Sequence, residues 1–551
     1  DKGASKEPRV NPTSGLPSIS VLCRTRAQAE AAVTVDGVDE IALDFLEVHG
    51  LQKTVRLVQA AGKTAVVATP RVLKPEEEQL WRYYLNLGAD ALLVVAPKAR
   101  FEDGSFLDCL PEPLMRLALD LSGDLNPGRN GLAAGTLTGE APRKLAVGVL
   151  PDEVSRHNSP ARAEAIRRVV AQSSTGRKGS AAILLVLDDA EHYTAAMGAV
   201  GKALPLYRKP PRLTATGRPG KAAPEPKLNV MAIGPDEQPV APPKTIMPTV
   251  DGARLAACLV DMPPTELNPK AFQAEAQKLL RGVAGVTRKA IVGDALLKAG
   301  LGGIHGVGRT ALEAPRMLVY TYTPTAKSRA KRHIALVGKG VTYDTGGLSL
   351  KISGGMVGMK ADMGGAAAVL GAFHSLVKGG APCKVSAVIC LAENAIGPSA
   401  VKPDDVLRMH SGMTVEINNT DAEGRLLLAD GVSYAARKLK ADTVIDIATL
   451  TGAQGVATGA MHGALIASDE DLERTIFNAG RACGDLVHPI PYAPEFYRDE
   501  FKSQIADMKN SVANRMNAQS SCAGEFVHWH LDGTDARWAH VDMAFPAVRA
   551  G

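Results

Sequence analysis

Asn418-Asn419-Thr420-Asp421-Ala422-Glu423-Gly424-Arg425 sets two carboxylates and a guanidinium in one short turn. Before it, Thr414 to Ile417 alternates polar and apolar residues as a half-buried strand does. After it, Leu426, Leu427, Ala429 and Val432 recur at helical spacing. The charged turn therefore stands where the C-terminal end of a strand meets the N-terminus of a helix, which is where open α/β sheets bind ligands.

A matching stretch lies upstream, in Val337-Gly338-Lys339-Gly340-Val341-Thr342-Tyr343-Asp344-Thr345-Gly346-Gly347-Leu348-Ser349-Leu350-Lys351. Ile334 to Val337 reads as a short buried strand, and the glycines after it are expected to let the backbone fold tightly around whatever Lys339 and Asp344 hold. Met359-Lys360-Ala361-Asp362-Met363-Gly364-Gly365 follows. There Asp362 is expected to open a helix over the Ala-rich run from Ala366 to Val377, its carboxylate favoured by the helix dipole.

Asp344, Asp362, Asp421 and Glu423 thus stand against Lys339, Lys351 and Arg425, all at turns and element ends. Four carboxylates around one cavity repel one another unless divalent cations lie between them. Paired metal ions about 3.5–4 Å apart are a recurrent hydrolytic device. Taken singly, Asp-Ala-Glu at a helix start is a cap, Gly346-Gly347 a turn and Lys351 a solvated cation. Their shared order and context favour a site. The twelve histidines form no His-Glu-x-x-His pair and no zinc-finger cluster. His528 and His530 are expected to share one face of a strand, and His410 to be a satisfied loop histidine. An oxygen-rich set of this kind admits zinc, manganese, cobalt or magnesium.

At 551 residues the chain exceeds one typical domain. Aromatics are only 4%, which suits Ala/Val/Leu-rich α/β packing, and no apolar run is long enough to cross a membrane. The polar start Asp1-Lys2-Gly3-Ala4 does not read as a signal peptide. Seven cysteines, widely spaced and with no C-x-x-C pair, fit reduced thiols and a cytoplasmic location. A net charge of +5 spread along the chain argues against a nucleic-acid partner, and the basic stretch Arg208 to Lys227 reads as a solvated linker.

Strand-like runs at Thr64–Ala68, Ala91–Val95, Leu145–Leu150 and Ile183–Leu187 alternate with helix-like Glu76–Leu87 and Ala161–Gln172, with a loop insertion expected at Gly123–Thr136. Prolines crowd the stretch from Lys209 to Pro248. The expected organisation is an α/β protein of two domains: a smaller N-terminal α/β domain (1–208), a Pro-rich linker (209–250) and a larger catalytic α/β domain (251–551). The last is expected to hold a mixed central sheet covered by helices.

Asn-Thr-Asp-Ala-Glu-Gly-Arg at 419–425, with Gly-Lys-Gly-Val-Thr-Tyr-Asp-Thr-Gly-Gly at 338–347, resembles the signature of the leucyl aminopeptidases, a metallopeptidase family. The likeness runs from Asp251 onward and takes in Met262-Pro263-Pro264 and Asp446-Ile447-Ala448-Thr449-Leu450-Thr451-Gly452-Ala453. Ser155-Arg156-His157-Asn158-Ser159-Pro160 points to an aminopeptidase-like branch. The resemblance implies a homohexamer that releases leucine-like N-terminal residues from peptides with a water activated by two metal ions per chain. It implies that Asp344 and Glu423 bridge the metals, that Asp421 completes one site, and that Lys339, as a neutral amine, completes the other with Asp362. Lys351 would stabilise the oxyanion and Arg425 would hold a bicarbonate. Met359, Thr451, Gly452 and Ala544 would form the first-residue pocket. The family's Thr-Gly-rich turn and terminal helix beyond Trp538–Ala544 are not matched. Two rival classes share these residues: a non-catalytic hexameric scaffold that keeps the fold, and a two-metal phosphohydrolase, which Lys339 disfavours.

Overall fold

The computed structural model describes residues 19–23, 26–36, 38–43, 51–67, 89–139, 142–173, 175–176, 179–207, 227–324 and 332–548. It is an α/β protein with a large mixed sheet and two smaller sheets in its N-terminal part. Strands β1 (Ile19–Cys23), β2 (Val38–Leu43) and β3 (Thr64–Val67) form a parallel three-stranded sheet. Strands β4 (Ala91–Pro97), β5 (Leu132–Leu137), β6 (Lys144–Leu150), β7 (Ser180–Val186) and β8 (Lys227–Ile233) form a second sheet in the order β5-β6-β4-β7-β8. Its three inner strands are apolar almost throughout, as strands covered on both faces must be.

Two expectations change here. Leu132–Leu137 overlaps the stretch Gly123–Thr136 read as a loop insertion, yet it pairs antiparallel with β6 as an edge strand. Its two alanines and a glycine carry little strand propensity, so neighbour pairing decides its conformation. Lys227–Ile233 lies inside the Pro-rich stretch, yet it pairs parallel with β7. The expected helix at Glu76–Leu87 and the basic run from 208 to 226 lie outside the described residues.

The large sheet contains β9 (Val286–Val292), β10 (Arg316–Tyr322), β11 (His333–Asp344), β12 (Lys384–Asn394), β15 (Thr443–Ala448), β16 (Gly463–Ala467), β17 (Val487–Pro489) and β19 (Arg537–Asp542). A ribbon of β13 (Val406–Arg408), β14 (Thr414–Glu416) and β18 (Met508–Lys509) stands apart from it. The order is β17-β16-β19-β15-β11-β12-β10-β9, with β12, β11, β15 and β19 parallel at the centre. Along β11 successive side chains enter opposite cores. Ala335, Val337 and Val341 pack towards the helices Gly424–Ser433 and Gln519–Trp529, and Leu336 packs towards the helix Gly364–Lys378.

β11 continues through the glycines that were expected to end it. A Cβ on Gly338 would lie 2.7 Å from the Ala366 Cα, and one on Gly340 would lie 2.5 Å from a Leu391 methyl. These glycines therefore act by admitting a helix and a neighbouring strand at close range. The tight turn comes later, at Gly346 and Gly347, whose φ values of +83° and +63° suit glycine. His528 and His530 also depart from expectation. They lie at the C-terminal end of the helix Gln519–Trp529, because that segment is buried along a helical face. His410 is a loop histidine, with Nδ1 2.9 Å from Ser433 Oγ. No helix among the described residues is long and apolar enough to cross a membrane.

Candidate active site

The C-terminal ends of the central parallel strands open onto one cavity of about 460 Å³. β11 carries Lys339 and ends at Asp344, β15 leads into Thr449–Gly452, and β19 leads into Ala544 and Phe545. The turn after β14 brings Asp421 and Glu423 in from the side. All eleven residues singled out in the sequence line this cavity: Lys339, Asp344, Lys351, Met359, Asp362, Asp421, Glu423, Arg425, Thr451, Gly452 and Ala544.

Lys339 is 2% exposed and sits among carboxylates. Its Nζ lies 2.7 Å from Asp362 Oδ1, 3.1 Å from Glu423 Oε1 and 2.7 Å from the Thr449 carbonyl. Burial opposes the ammonium form, but Asp362, Glu423 and Asp344 outweigh it and raise this lysine above the usual range. Gly424 makes the approach possible, since a Cβ there would meet the Lys339 Cε at 2.4 Å. Burial also raises the partner carboxyls Asp362 and Glu423 above the usual carboxylate range.

Lys351 comes from the loop after Gly347. Its Nζ lies 2.8 Å from Asp344 Oδ2 and 2.5 Å from Asp421 Oδ1. Asp344, Asp421 and Glu423 each offer an oxygen within 4.8 Å of the others. Glu423 occupies the N-cap position of Gly424–Ser433 but its side chain makes no cap bond, which leaves the carboxylate to the cavity. The buried oxygens Asp362 Oδ2 and Glu423 Oε2 have no hydrogen-bond donor. A buried carboxylate oxygen without a donor is costly unless a cation meets it, so this donor set fits divalent ions.

Arg425 is 9% exposed, with its guanidinium 5.9 Å from the Phe526 ring centre and with Nε and Nη1 both lacking an acceptor. Burial lowers its pKa to about 10. Two unmatched donors on a buried cation fit a small planar anion.

Several supporting residues carried no local signal in the sequence. Asn394 at the end of β12 donates from Nδ2 to Asp344 Oδ1 at 2.9 Å, and the Gly346 N–H donates to the same oxygen at 2.9 Å. The Thr449 hydroxyl donates to Asp362 Oδ1 at 2.9 Å. Asp542, fully buried, accepts from Thr451 N at 3.1 Å and from Thr451 Oγ1 at 2.6 Å, which fixes the loop after β15. Ser511, Val512, Arg515, Gln519, Phe545 and Val548 complete the walls. Gly346 and Thr449 stood within the quoted motifs; the others reach the cavity through strand pairing and helix packing.

Residues 254–551, more than half of the chain, match the family described as cytosol aminopeptidase family, catalytic domain. The chain belongs to the cytosol aminopeptidase family. It is an aminopeptidase, and so an exopeptidase hydrolase of the metallopeptidase class. Residues 132–210 match the domain described as M17 aminopeptidase N-terminal domain 2. The chain is similar to the probable aminopeptidase NPEPL1 of Mus musculus, at 46% identity over 74% of this chain and 76% of that one. It also resembles leucine aminopeptidase 1 of Caenorhabditis elegans, at 48% identity over 54% and 60%. Among solved structures, the leucyl aminopeptidase of Trypanosoma cruzi superposes with a TM-score of 0.74 at 35% identity, covering 85% of this chain and 91% of that one. The Trypanosoma brucei enzyme in complex with bestatin gives 0.74 at 32% identity, over 87% and 96%. The bottromycin maturation enzyme BotP in complex with Mn gives 0.67 at 29%, over 83% and 93%.

Proposed function

We propose that this aminopeptidase releases leucine-like N-terminal residues from peptides, using two divalent ions held by Asp344, Glu423, Asp421, Asp362 and Lys339. The observation that carries the reading is the convergence of Asp344, Asp421 and Glu423 within 4.8 Å, beside the donor-free oxygens of Asp362 and Glu423. Asp344 and Glu423 would be shared between the ions, Asp421 would complete one site, and Lys339 with Asp362 would complete the other. Bound divalent ions supply Lewis acidity, which acidifies a water and polarises a peptide carbonyl. For Lys339 to serve as a ligand it must lose its proton, so the added cationic charge has to overcome the carboxylates that favour the ammonium.

The remaining steps belong to the chain's own side chains. Burial works against the charged form of Lys351, but Asp344 and Asp421 overcome it and keep this lysine protonated. A lysine in that state stabilises negative charge as it develops on the carbonyl oxygen. Arg425 would hold a bicarbonate through its two unmatched donors, in place of a protein general base. Met359, Thr451, Gly452 and Ala544 receive the first side chain. The reading includes zinc or manganese as the ions, with manganese supported by the BotP neighbour, and includes cobalt or magnesium as substitutes. It also includes peptide substrates, a homohexamer, a cytoplasmic location in keeping with the cytosol aminopeptidase relatives, and a domain boundary that falls within 209–250 after β8.

The deciding experiment is leucine-amide hydrolysis by chelator-treated protein, before and after manganese or zinc is restored, with metal analysis alongside. Two ions per chain and metal-dependent turnover are expected. Zero or one ion at saturation ends the two-metal reading, and folded, metal-loaded protein without turnover favours the scaffold.

A further inference from the structure

We infer that Arg515 selects peptides that carry a carboxylate beyond the first peptide bond. The inference rests on the aminopeptidase reading and adds a substrate class to it. Ser511 to Ser520 forms a strap along one wall of the cavity. At one end Ser511 N donates to Asn418 Oδ1 at 2.9 Å, and Asn418 Nδ2 donates to the Ser511 carbonyl at 3.2 Å, which ties the strap to the turn bearing Asp421 and Glu423. At the other end Ser520 Oγ lies 2.7 Å from Thr451 Oγ1. Glu500 braces the middle, accepting from Asn514 N at 2.9 Å and from Asn517 Nδ2 at 2.8 Å.

Both Glu500 oxygens are thereby engaged on either side of Arg515, and Gln519 Nε2 donates to the Arg515 carbonyl. The Arg515 side chain is exposed, lines the cavity, and has no ion-pair partner among the described residues. Lys339, Asp344, Asp362 and Glu423 are all buried at the cavity floor. The exposed residues at the cavity mouth include Gly358, Gly452, Phe545 and Val548 beside Arg515, so the rest of a peptide bound with its first bond at the floor extends over a rim on which Arg515 is the exposed cation. A guanidinium on a braced strap matches the planar carboxylate that peptides present, either at a free C-terminus or on an Asp or Glu side chain.

The test compares kcat/KM within two substrate pairs. Leucylglycine against leucylglycinamide reports a free C-terminus, and leucylaspartic diamide with a free side-chain acid against its asparagine counterpart reports an acidic side chain. Wild-type enzyme is expected to prefer the acid in at least one pair by about five-fold, the scale of one partly exposed ion pair, and to lose that preference as ionic strength rises. Arg515→Gln should bring the acid-to-amide ratio close to one, and Arg515→Lys should retain part of it. The pair that responds names the source of the carboxylate. A wild-type ratio near one in both pairs, with leucine amide still hydrolysed, overturns the inference and leaves the aminopeptidase reading intact. An unchanged ratio in Arg515→Gln overturns it equally, and absence of leucine-amide turnover removes the reading and the inference together.

Discussion

Gly424→Ala changes no charged group, yet the structure predicts a disabled site. The new Cβ would lie 2.4 Å from the Lys339 Cε, 2.7 Å from its Cδ and 2.7 Å from its Nζ. Lys339 cannot step aside freely, because its ammonium is held by Asp362, Glu423 and the Thr449 carbonyl in a nearly sealed environment. Forcing a methyl into packed surroundings costs about 1–3 kcal/mol. Replacing a helix glycine by alanine returns up to ~1 kcal/mol. The net is a destabilisation of at most about 3 kcal/mol, while a displacement near 1 Å at a reacting centre can cost on the order of 10² in rate. Denaturant titration should therefore show a modest loss, and metal analysis with leucine-amide kinetics should show the loss of one ion and most activity. A variant with two ions and near-normal kcat would falsify the placement of Lys339 against the Gly424 turn.

Other variants separate the remaining roles. Lys339→Arg should stay folded, lose one ion and be nearly inactive, since a guanidinium remains protonated at working pH; two ions with normal turnover would contradict its role as a ligand. Lys351→Ala should lower kcat by about 10²–10³ while both ions remain, and equal loss of metal would assign it to the metal site instead. His530 is fully buried, and burial lowers its pKa to about 3, below the ordinary histidine value of 6.5. The folded state then binds fewer protons than the unfolded chain between those values. This group's contribution is present above pH 6.5 and is lost as pH falls towards 3. In chelator-treated protein, His530→Gln should remove part of this acid sensitivity, by up to ~1.4 kcal/mol per pH unit; an identical pH slope in the variant would show that another group is responsible.

The sequence by itself determined the α/β class and the residues that meet in the cavity. Strand-to-helix turns hold their chemistry locally: Asp421, Glu423 and Arg425 occur within five positions, and Lys339, Asp344 and Lys351 within thirteen. Glycine, however, reads alike whether it makes a turn or admits a neighbour. Gly346 and Gly347 do the first, Gly338, Gly340 and Gly424 the second, and only the packed structure separates them. At Leu132–Leu137 weak local propensity yields to the hydrogen bonds of an adjacent strand, and at Lys227–Ile233 the surrounding prolines mask a segment that β7 pairs with. Folding, and nothing local, brings Asn394 and Asp542 to the site and Arg515 to its mouth. Those residues lie on separate strands and loops, and no sequence spacing records a proximity created by folding the sheet.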